Sequence, residues 1–316
     1  MKSTIFAVND VPYCLWEADV SSRNREFLDG LDPEYFSYVL ETHMETEDEK
    51  RALVSLKIAL HHSTEAFFAL LGAFVQAPDC AYAWIAKCSN AELREFTQRV
   101  TRGDSTLISK LSLTSITWES IAAAVFNKYL PGTERQTQTI AKFAVLWNSL
   151  AKELTDHKLI DEYNALKHGF RVKPGGFALA VGLEHTFGVA PPESEMTSLG
   201  CSDYGATFLK IENFGVGKGS PHIRSRHTAV NWSVERVVLQ LQLVYMSINN
   251  VVSGLKVVNG KSAGSCKFLR PQDDTDFDAP WQYSTGVTSM NFDHVLDPER
   301  LPPVTKAEIL AKLRAK

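Results

Sequence analysis

The sequence predicts an α+β protein that is mainly α, organised as an antiparallel helical bundle with a small antiparallel β insertion. Three observations support this class. Apolar residues recur at helical spacing over 46–168, the period changes to alternation over about 170–230, and helical spacing returns over 231–258. Capping sequences of the form Ser/Thr-x-x-Glu mark several of the helix starts.

The chain begins with a segment, residues 1–45, that is predicted to wrap the bundle as loops with short elements, because Pro12 and Gly30 interrupt any regular pattern. The first strong helix is predicted to begin near Thr46, where Thr46 and Glu49 form a capping box, and to end before Pro78. Apolar residues occupy two faces of this helix, which indicates a position in the middle of the bundle.

Three further helices are predicted over 89–102, 117–130 and 135–168. The first opens at a capping box formed by Ser89 and Glu92, and the second is ended by Pro131 and Gly132. Consecutive helices of this kind favour antiparallel packing.

The β insertion is predicted from three β-rich or alternating runs over 170–182, 205–214 and 222–230. The helix over 231–258 then returns to the bundle, so residues 46–258 form one predicted domain. Residues 259–316 are predicted to be irregular until a capping box at Thr305 starts a short peripheral helix.

The composition is that of a soluble globular protein, with 44% hydrophobic and 22% charged residues. A net charge of −4 and a pI near 6.2 argue against broad, non-specific binding of nucleic acid. The five cysteines are scattered and never spaced as CxxC, which favours a reducing cytoplasm. The most apolar run is far shorter than the roughly 20 residues that a membrane span requires, so no membrane partner is expected.

A row of polar residues extends the apolar stripe of the helix predicted over 135–168. The stripe contains Trp147, Leu150 and Leu154, and the same face then continues with polar side chains spaced four, three and four apart: His157, Asp161, Asn164 and His168. Buried polar groups cost roughly 1–3 kcal/mol each unless they are paired, so a buried row of this kind indicates a site. The alternative is a helix break at Thr155-Asp156, which would turn all four residues towards water.

His61 and Glu65 occupy the second face of the first strong helix, one turn apart. They can hydrogen-bond to each other as a satisfied core pair, or they can line a polar pocket. In a bundle they can also converge with His157, Asp161 and His168 on a metal ion, although no Glu-x-x-His pair is present.

The run Tyr163-Asn-Ala-Leu-Lys-His168, on a long helix of a predicted bundle, resembles the HEPN superfamily of small helical bundles found in prokaryotic toxins, defence systems and RNA-processing nucleases. The likeness covers roughly residues 46–170. The family's nuclease signature places an Arg before the His with four to six residues between, and this chain has Tyr163, Glu162 and Asp161 at those positions. The resemblance therefore carries over only Asn164 and His168, as a polar site for RNA or nucleotide.

Three functions remain open from the sequence. The first is a HEPN-like protein of RNA metabolism or cellular defence that binds RNA or nucleotide, with no cofactor and with a homo-oligomer as one option. The second is a metal-binding bundle, and the third is a non-enzymatic interaction module. The candidate catalytic residues are Asp161, Asn164 and His168, and the candidate ligand-binding residues are His157, His61 and Glu65.

Overall fold

The computed structural model describes residues 2–113, 115–168, 171–214, 222–292 and 305–315. It divides into two compact units, the first formed by Met1–Tyr163 with Val234–Tyr283 and the second by Asn164–Ser233 with Ser284–Lys316. Helices predominate in the first unit and small antiparallel sheets in the second. The predicted α+β class, mainly α, is confirmed.

The first unit opens with a β-hairpin and continues almost entirely as helix. Its elements are β1 (Lys2–Val8), β2 (Val11–Glu17), α1 (Val20–Gly30), α2 (Tyr35–Met44), α3 (Glu49–Gln76), α4 (Ala81–Lys87), α5 (Asn90–Arg102), α6 (Trp118–Val125), α7 (Glu134–Leu154), α8 (His157–Leu166) and α9 (Val234–Val258). The boundary between the units falls within α8, after Tyr163. The segment predicted to wrap the bundle therefore contains a complete hairpin and two helices.

Helix α3 is the central element of the first unit, and it packs along α9 with α2, α4 and α5 against other parts of its surface. It begins at Asp48, whose carboxylate accepts a hydrogen bond from the Arg51 N–H, so the predicted capping box at Thr46 is wrong by two residues. Among the described residues α3 is the helix long and apolar enough to cross a membrane, but 67% of its apolar window is buried inside the protein. That burial is typical of the core helix of a soluble protein.

The aromatic core of the first unit forms where α3, α6 and α7 meet. Phe67, Phe126 and Phe143 surround Trp147 with ring centroids 5.5–6.2 Å apart. The indole N–H of Trp147 donates to the hydroxyl of Ser247 on α9 at 3.0 Å, so the ring is buried without an unpaired polar group. The apolar stripe predicted for this part of the chain is confirmed.

The prediction of one long helix over 135–168 is wrong. The helix breaks at Thr155 and Asp156, where the alternative prediction placed the break. Helix α7 ends at Leu154, Thr155 is its C-cap, and α8 begins at His157. The Asp156 carboxylate accepts the N–H of Lys158 and supplies a local partner for the start of the new helix. Because of this break, the residues of α8 no longer follow the helical spacing of α7. The predicted polar row therefore does not continue the buried stripe of α7.

The second unit contains the predicted antiparallel β structure. A four-stranded sheet has the order β3 (Val172–Pro174), β6 (Gly205–Phe214), β7 (His222–Asn231) and β8 (Ser289–Phe292), and β4 (Ala178–Val181) pairs separately with β5 (Thr197–Cys201). The predicted short terminal helix is present as α10 (Lys306–Arg314) and begins at the Thr305 capping box. Strands β5 and β8 were not predicted from the sequence.

Gly72 allows α3 to approach the buried Trp84 ring. A β-carbon at Gly72 would lie 2.3 Å from that ring, whose N–H donates to Gln76 at 3.1 Å. Gly72→Ala is therefore expected to lower the free energy of unfolding by about 1–3 kcal/mol through overpacking, although the same change in an open helix is stabilising.

Gly30→Ala is the matched control, since nothing lies within 4 Å of a β-carbon added there. It should leave stability unchanged or raise it by up to about 1 kcal/mol. Urea denaturation of both variants measures the difference. Equal effects of the two substitutions would contradict the close packing of α3 on Trp84.

Candidate functional site

A buried carboxylate joins α8 to α3. Oxygen Oε1 of Glu162 lies 3.3 Å from Lys57 Nζ and 3.4 Å from His61 Nε2. The three side chains are only 5%, 11% and 15% exposed, respectively. Lys57 and His61 are four residues apart on α3 and therefore share one face of that helix, which allows both to reach the same oxygen.

The surroundings of Glu162 keep its carboxyl group charged. Burial by itself would raise the pKa of Glu162, but the Lys57 ammonium and the hydrogen bond from His61 outweigh burial and lower the pKa to about 2. At neutral pH the site therefore contains a buried carboxylate with a buried counter-charge. Removing either partner of such a pair leaves an uncompensated buried charge, which costs about 3–5 kcal/mol.

His61 is held as a neutral ring with a defined tautomer. Burial is the main cause that lowers the pKa of His61; the hydrogen bond with Glu162 opposes it and the charge of Lys57 adds to it. A charged carboxylate can only accept hydrogen bonds, so Nε2 carries the proton and donates to Glu162. Nδ1 is then an acceptor, and it has no hydrogen-bond partner among the residues that the structure describes. The ring is thus available as a base.

Tyr163 fixes the plane of the His61 ring. The two rings are stacked with centroids 4.9 Å apart and planes at 23°. The Tyr163 hydroxyl donates to Glu65 Oε2 at 3.0 Å, and Asn90 donates to the other Glu65 oxygen at 2.9 Å. Burial first, and then the negative charge of Glu65, raise the pKa of Tyr163, so the phenol remains a donor.

These side chains line an open cleft of about 490 Å³, counting the part that is continuous with solvent. Its polar wall includes Lys57, His61 and Arg94, and its apolar wall comprises Leu154, Leu159 and Ile160. We call this space the His61 cleft.

Two charged residues of the His61 cleft, Glu153 and Arg94, differ in the hydrogen bonds that they form with the protein. Glu153 accepts hydrogen bonds from Arg236, Gln240 and Trp281 at 2.8–3.0 Å, so its carboxylate is fully engaged. The guanidinium of Arg94, on α5, takes part in no hydrogen bond or ion pair within the described parts of the chain. The cleft therefore offers a cation and a neutral imidazole, while Glu153 and Glu162 are already neutralised by protein partners.

The candidate residues of the predicted polar row do not line the His61 cleft. His157, Asn164 and His168 are exposed, and Asp161 is partly exposed with partners of its own. Asn164 and His168 belong to the second unit.

His61 and Glu65 do lie at the cleft, but they are not paired with each other. His61 bonds to Glu162, and Glu65 bonds to Tyr163 and Asn90. The direct pair, one of the two alternatives from the sequence, is not formed, because each side chain finds its partner on another helix. No three His, Cys, Asp or Glu side chains of the described residues are grouped so that they could hold a metal ion.

Lys57, Arg94 and Glu162 were missed as site residues. A signal for Glu162 is visible once α8 is treated as a separate helix, since it lies three residues after Leu159 and four before Leu166, on the apolar face. Lys57 similarly lies next to the apolar stripe of α3 at helical spacing from His61. Arg94 has no comparable signal, because a single arginine on an amphipathic helix is usually solvated.

The chain has no significant match to a protein-family model, to a curated protein or to a solved structure.

The coupling between Lys57 and Glu162 can be measured by a double-mutant cycle. Glu162→Gln and Lys57→Met are each expected to lower the free energy of unfolding by about 3 kcal/mol, because each leaves a buried polar group without its counter-charge. The double variant should lose at least about 1 kcal/mol less than the sum of the two single losses.

The exposed pair Lys267–Glu34, whose atoms lie 3.3 Å apart, is the control. Lys267→Met and Glu34→Gln should each change stability by less than about 1 kcal/mol and should add. Denaturant titration of both cycles makes the comparison. Additive losses at Lys57 and Glu162 would rule out the buried pair as a stabilising contact.

Proposed function

We propose that the His61 cleft binds a phosphate group of RNA or of a nucleotide. The observation that supports this most directly is the combination of an unpaired Arg94 guanidinium with a neutral, oriented imidazole in one cleft. Guanidinium is the side-chain group best suited to phosphate, because its fork of N–H donors matches two phosphate oxygens. The proposal keeps the ligand class and the helical-bundle architecture that the HEPN resemblance implies, with a cytoplasmic role in RNA metabolism or cellular defence. It moves the site from Asn164 and His168 to His61.

The cleft contains a cation, Arg94, that can bind an anion. Glu162 is neutralised by Lys57, and Glu153 is paired with Arg236. Arg94 is then the lining cation that lacks a counter-ion among the described residues, while the carboxylate of Glu65 accepts hydrogen bonds from the neutral donors Tyr163 and Asn90. A phosphate would supply that counter-ion at the mouth of the cleft, where water still screens part of the charge.

The imidazole adds a proton acceptor next to the bound phosphate. In RNA, Nδ1 of His61 takes the proton of the ribose 2′-hydroxyl, the 2′-oxygen forms a bond to phosphorus, and the 5′-oxygen leaves with a proton from water. Arg94 stabilises the negative charge that grows on the phosphate oxygens. Nε2 remains bonded to Glu162, which stabilises the imidazolium that forms, as carboxylates do behind other catalytic histidines.

Binding is tested with a fluorescently labelled single-stranded RNA and the DNA of the same sequence at low salt. Arg94→Gln should weaken RNA binding about tenfold or more, because a charge-assisted hydrogen bond contributes roughly 1.5–3 kcal/mol. Arg102→Gln, an exposed position on the same helix, is the control and should change the Kd by less than about threefold.

His61→Gln separates binding from proton transfer. Its amide can keep the hydrogen bond to Glu162, so RNA affinity should be retained while cleavage of RNA is lost, and DNA should be bound but not cut by either protein. Failure of the native protein to bind RNA or mononucleotides would overturn the proposal. Equal losses for Arg94→Gln and Arg102→Gln would remove the cleft as the binding site.

A further inference from the structure

Glu65 is a carboxylate of the His61 cleft whose charge is not offset by a cation of the described residues. Its two oxygens accept hydrogen bonds from the Tyr163 hydroxyl at 3.0 Å and from the Asn90 amide at 2.9 Å, and both donors are neutral groups. Glu153, which also lines the cleft, is in contrast paired with Arg236. The wall of the cleft therefore contains one carboxylate that is oriented by the protein without being neutralised by it.

Each oxygen of Glu65 has an unused acceptor site. A carboxylate has two oxygens with about four lone-pair sites, and the Asn90 amide and the Tyr163 hydroxyl occupy one site on each oxygen. Within the described part of the chain, no further donor reaches this carboxylate. The two remaining sites lie on neighbouring oxygens of one planar group, and they suit a ligand with two parallel N–H donors.

Arg94 lies in the same cleft as Glu65 without forming an ion pair with it. Asn90, which binds Glu65, and Arg94 are four residues apart on α5, so they are neighbours on one face of that helix, roughly 5–6 Å apart at their β-carbons. No ion pair joins the described side chains of Arg94 and Glu65. A ligand that satisfies both must carry an anionic group at one end and N–H donors at the other.

A guanine nucleotide has this combination of groups. Its phosphate is the anion, and the Watson–Crick edge of guanine presents two adjacent donors, N1–H and the N2 amino group. Adenine and cytosine place one amino group beside an acceptor nitrogen, and uracil places its single N–H between two carbonyl oxygens. Each of these three bases would bring an acceptor against a carboxylate. Unstacked RNA bases are commonly recognised through hydrogen bonds to this edge.

We propose that Glu65 recognises the base of the nucleotide bound in the His61 cleft and selects guanine through its N1–H and N2–H donors. This inference rests on the phosphate site proposed at Arg94. The apolar wall of the cleft, formed by Leu154, Leu159 and Ile160, provides a surface on which the flat base can pack.

Tyr163 is a positioning residue for this recognition. Its hydroxyl donates to Glu65 at 3.0 Å, and its ring stacks on the His61 imidazole with centroids 4.9 Å apart. The side chain that orients the base-recognising carboxylate therefore also contacts the proposed proton acceptor. Because the carboxylate is held in place before a ligand arrives, less conformational freedom is lost on binding.

Calorimetric titration of the native protein with nucleoside monophosphates tests base selection without any substitution. Guanosine monophosphate, as its 3′ or its 5′ isomer, should bind about tenfold or more tightly than the inosine, adenosine, cytidine and uridine monophosphates. The physical reason is that a charged acceptor is left unpaired when the ligand lacks one of the two donors. Inosine is the sharpest comparison, since it differs from guanosine only by the absence of the N2 amino group.

Glu65→Gln should remove the preference. The amide can keep hydrogen bonds with Tyr163 and Asn90, but it has one acceptor oxygen in place of two. The ratio of the Kd of inosine monophosphate to that of guanosine monophosphate should therefore fall from about ten or more to near one. Glu95→Gln makes the same change of charge at an exposed position next to Arg94 and should retain the ratio of the native protein.

The possible failures can be told apart. Equal affinity of the native protein for guanosine and inosine monophosphates would contradict base selection and leave the phosphate site intact. A guanosine preference that persists in Glu65→Gln would show that another group recognises the base. If neither the nucleotides nor inorganic phosphate bind to the native protein, the phosphate site itself is refuted and the selection of guanine with it. The inosine comparison uses the native protein, so it remains informative even if Glu65→Gln does not fold.

Discussion

One buried oxygen atom, Glu162 Oε1, carries the constraint on which the site depends. It faces both Lys57 and His61, so a single charge holds α8 against α3 and determines the tautomer of the imidazole. A buried ion pair is weak support for stability as such, since apolar residues of the same volume can do as well. Its value here lies in orientation: without the carboxylate, nothing fixes which ring nitrogen of His61 carries the proton.

The chemical character of the His61 cleft depends on this arrangement and on the hydrogen-bond partners of its other charged residues. Glu153 has all its acceptors engaged by Arg236, Gln240 and Trp281, while Glu65 is engaged by Tyr163 and Asn90. The carboxylates that line the His61 cleft therefore accept their hydrogen bonds from protein donors. The cation and the base that remain are the local features on which the proposal of an anionic ligand rests, and the net charge of −4 does not reveal them.

The sequence predicted much of the fold because local signals were strong. The capping boxes at Ser89 and Thr305 have the expected geometry, and the aromatic stripe around Trp147 is buried. These features depend on residues three or four apart, whose relation the helical period fixes.

The site was harder to predict because it depends on the phase of one helix. Two residues, Thr155 and Asp156, end α7 and restart the chain as α8, and the new phase buries Glu162 while exposing His157, Asn164 and His168. Periodicity cannot show whether such residues break a helix or lie within one continuous helix. Partners on other helices, such as Lys57 for Glu162 and Asn90 for Glu65, are contacts over 105 and 25 positions and leave no local pattern.

The protonation state of His61 tests the central claim most directly. Two-dimensional NMR of the protein with ¹⁵N-labelled histidine reports the tautomer and the pKa of each ring, and the spectrum of His61→Gln identifies the His61 signals. The account predicts a ring that is neutral at pH 7 and protonated at Nε2, with a pKa below the ordinary value for histidine because of burial. A ring that is charged at pH 7, or one that carries its proton on Nδ1, would contradict the account of Glu162 as the charged partner that orients His61.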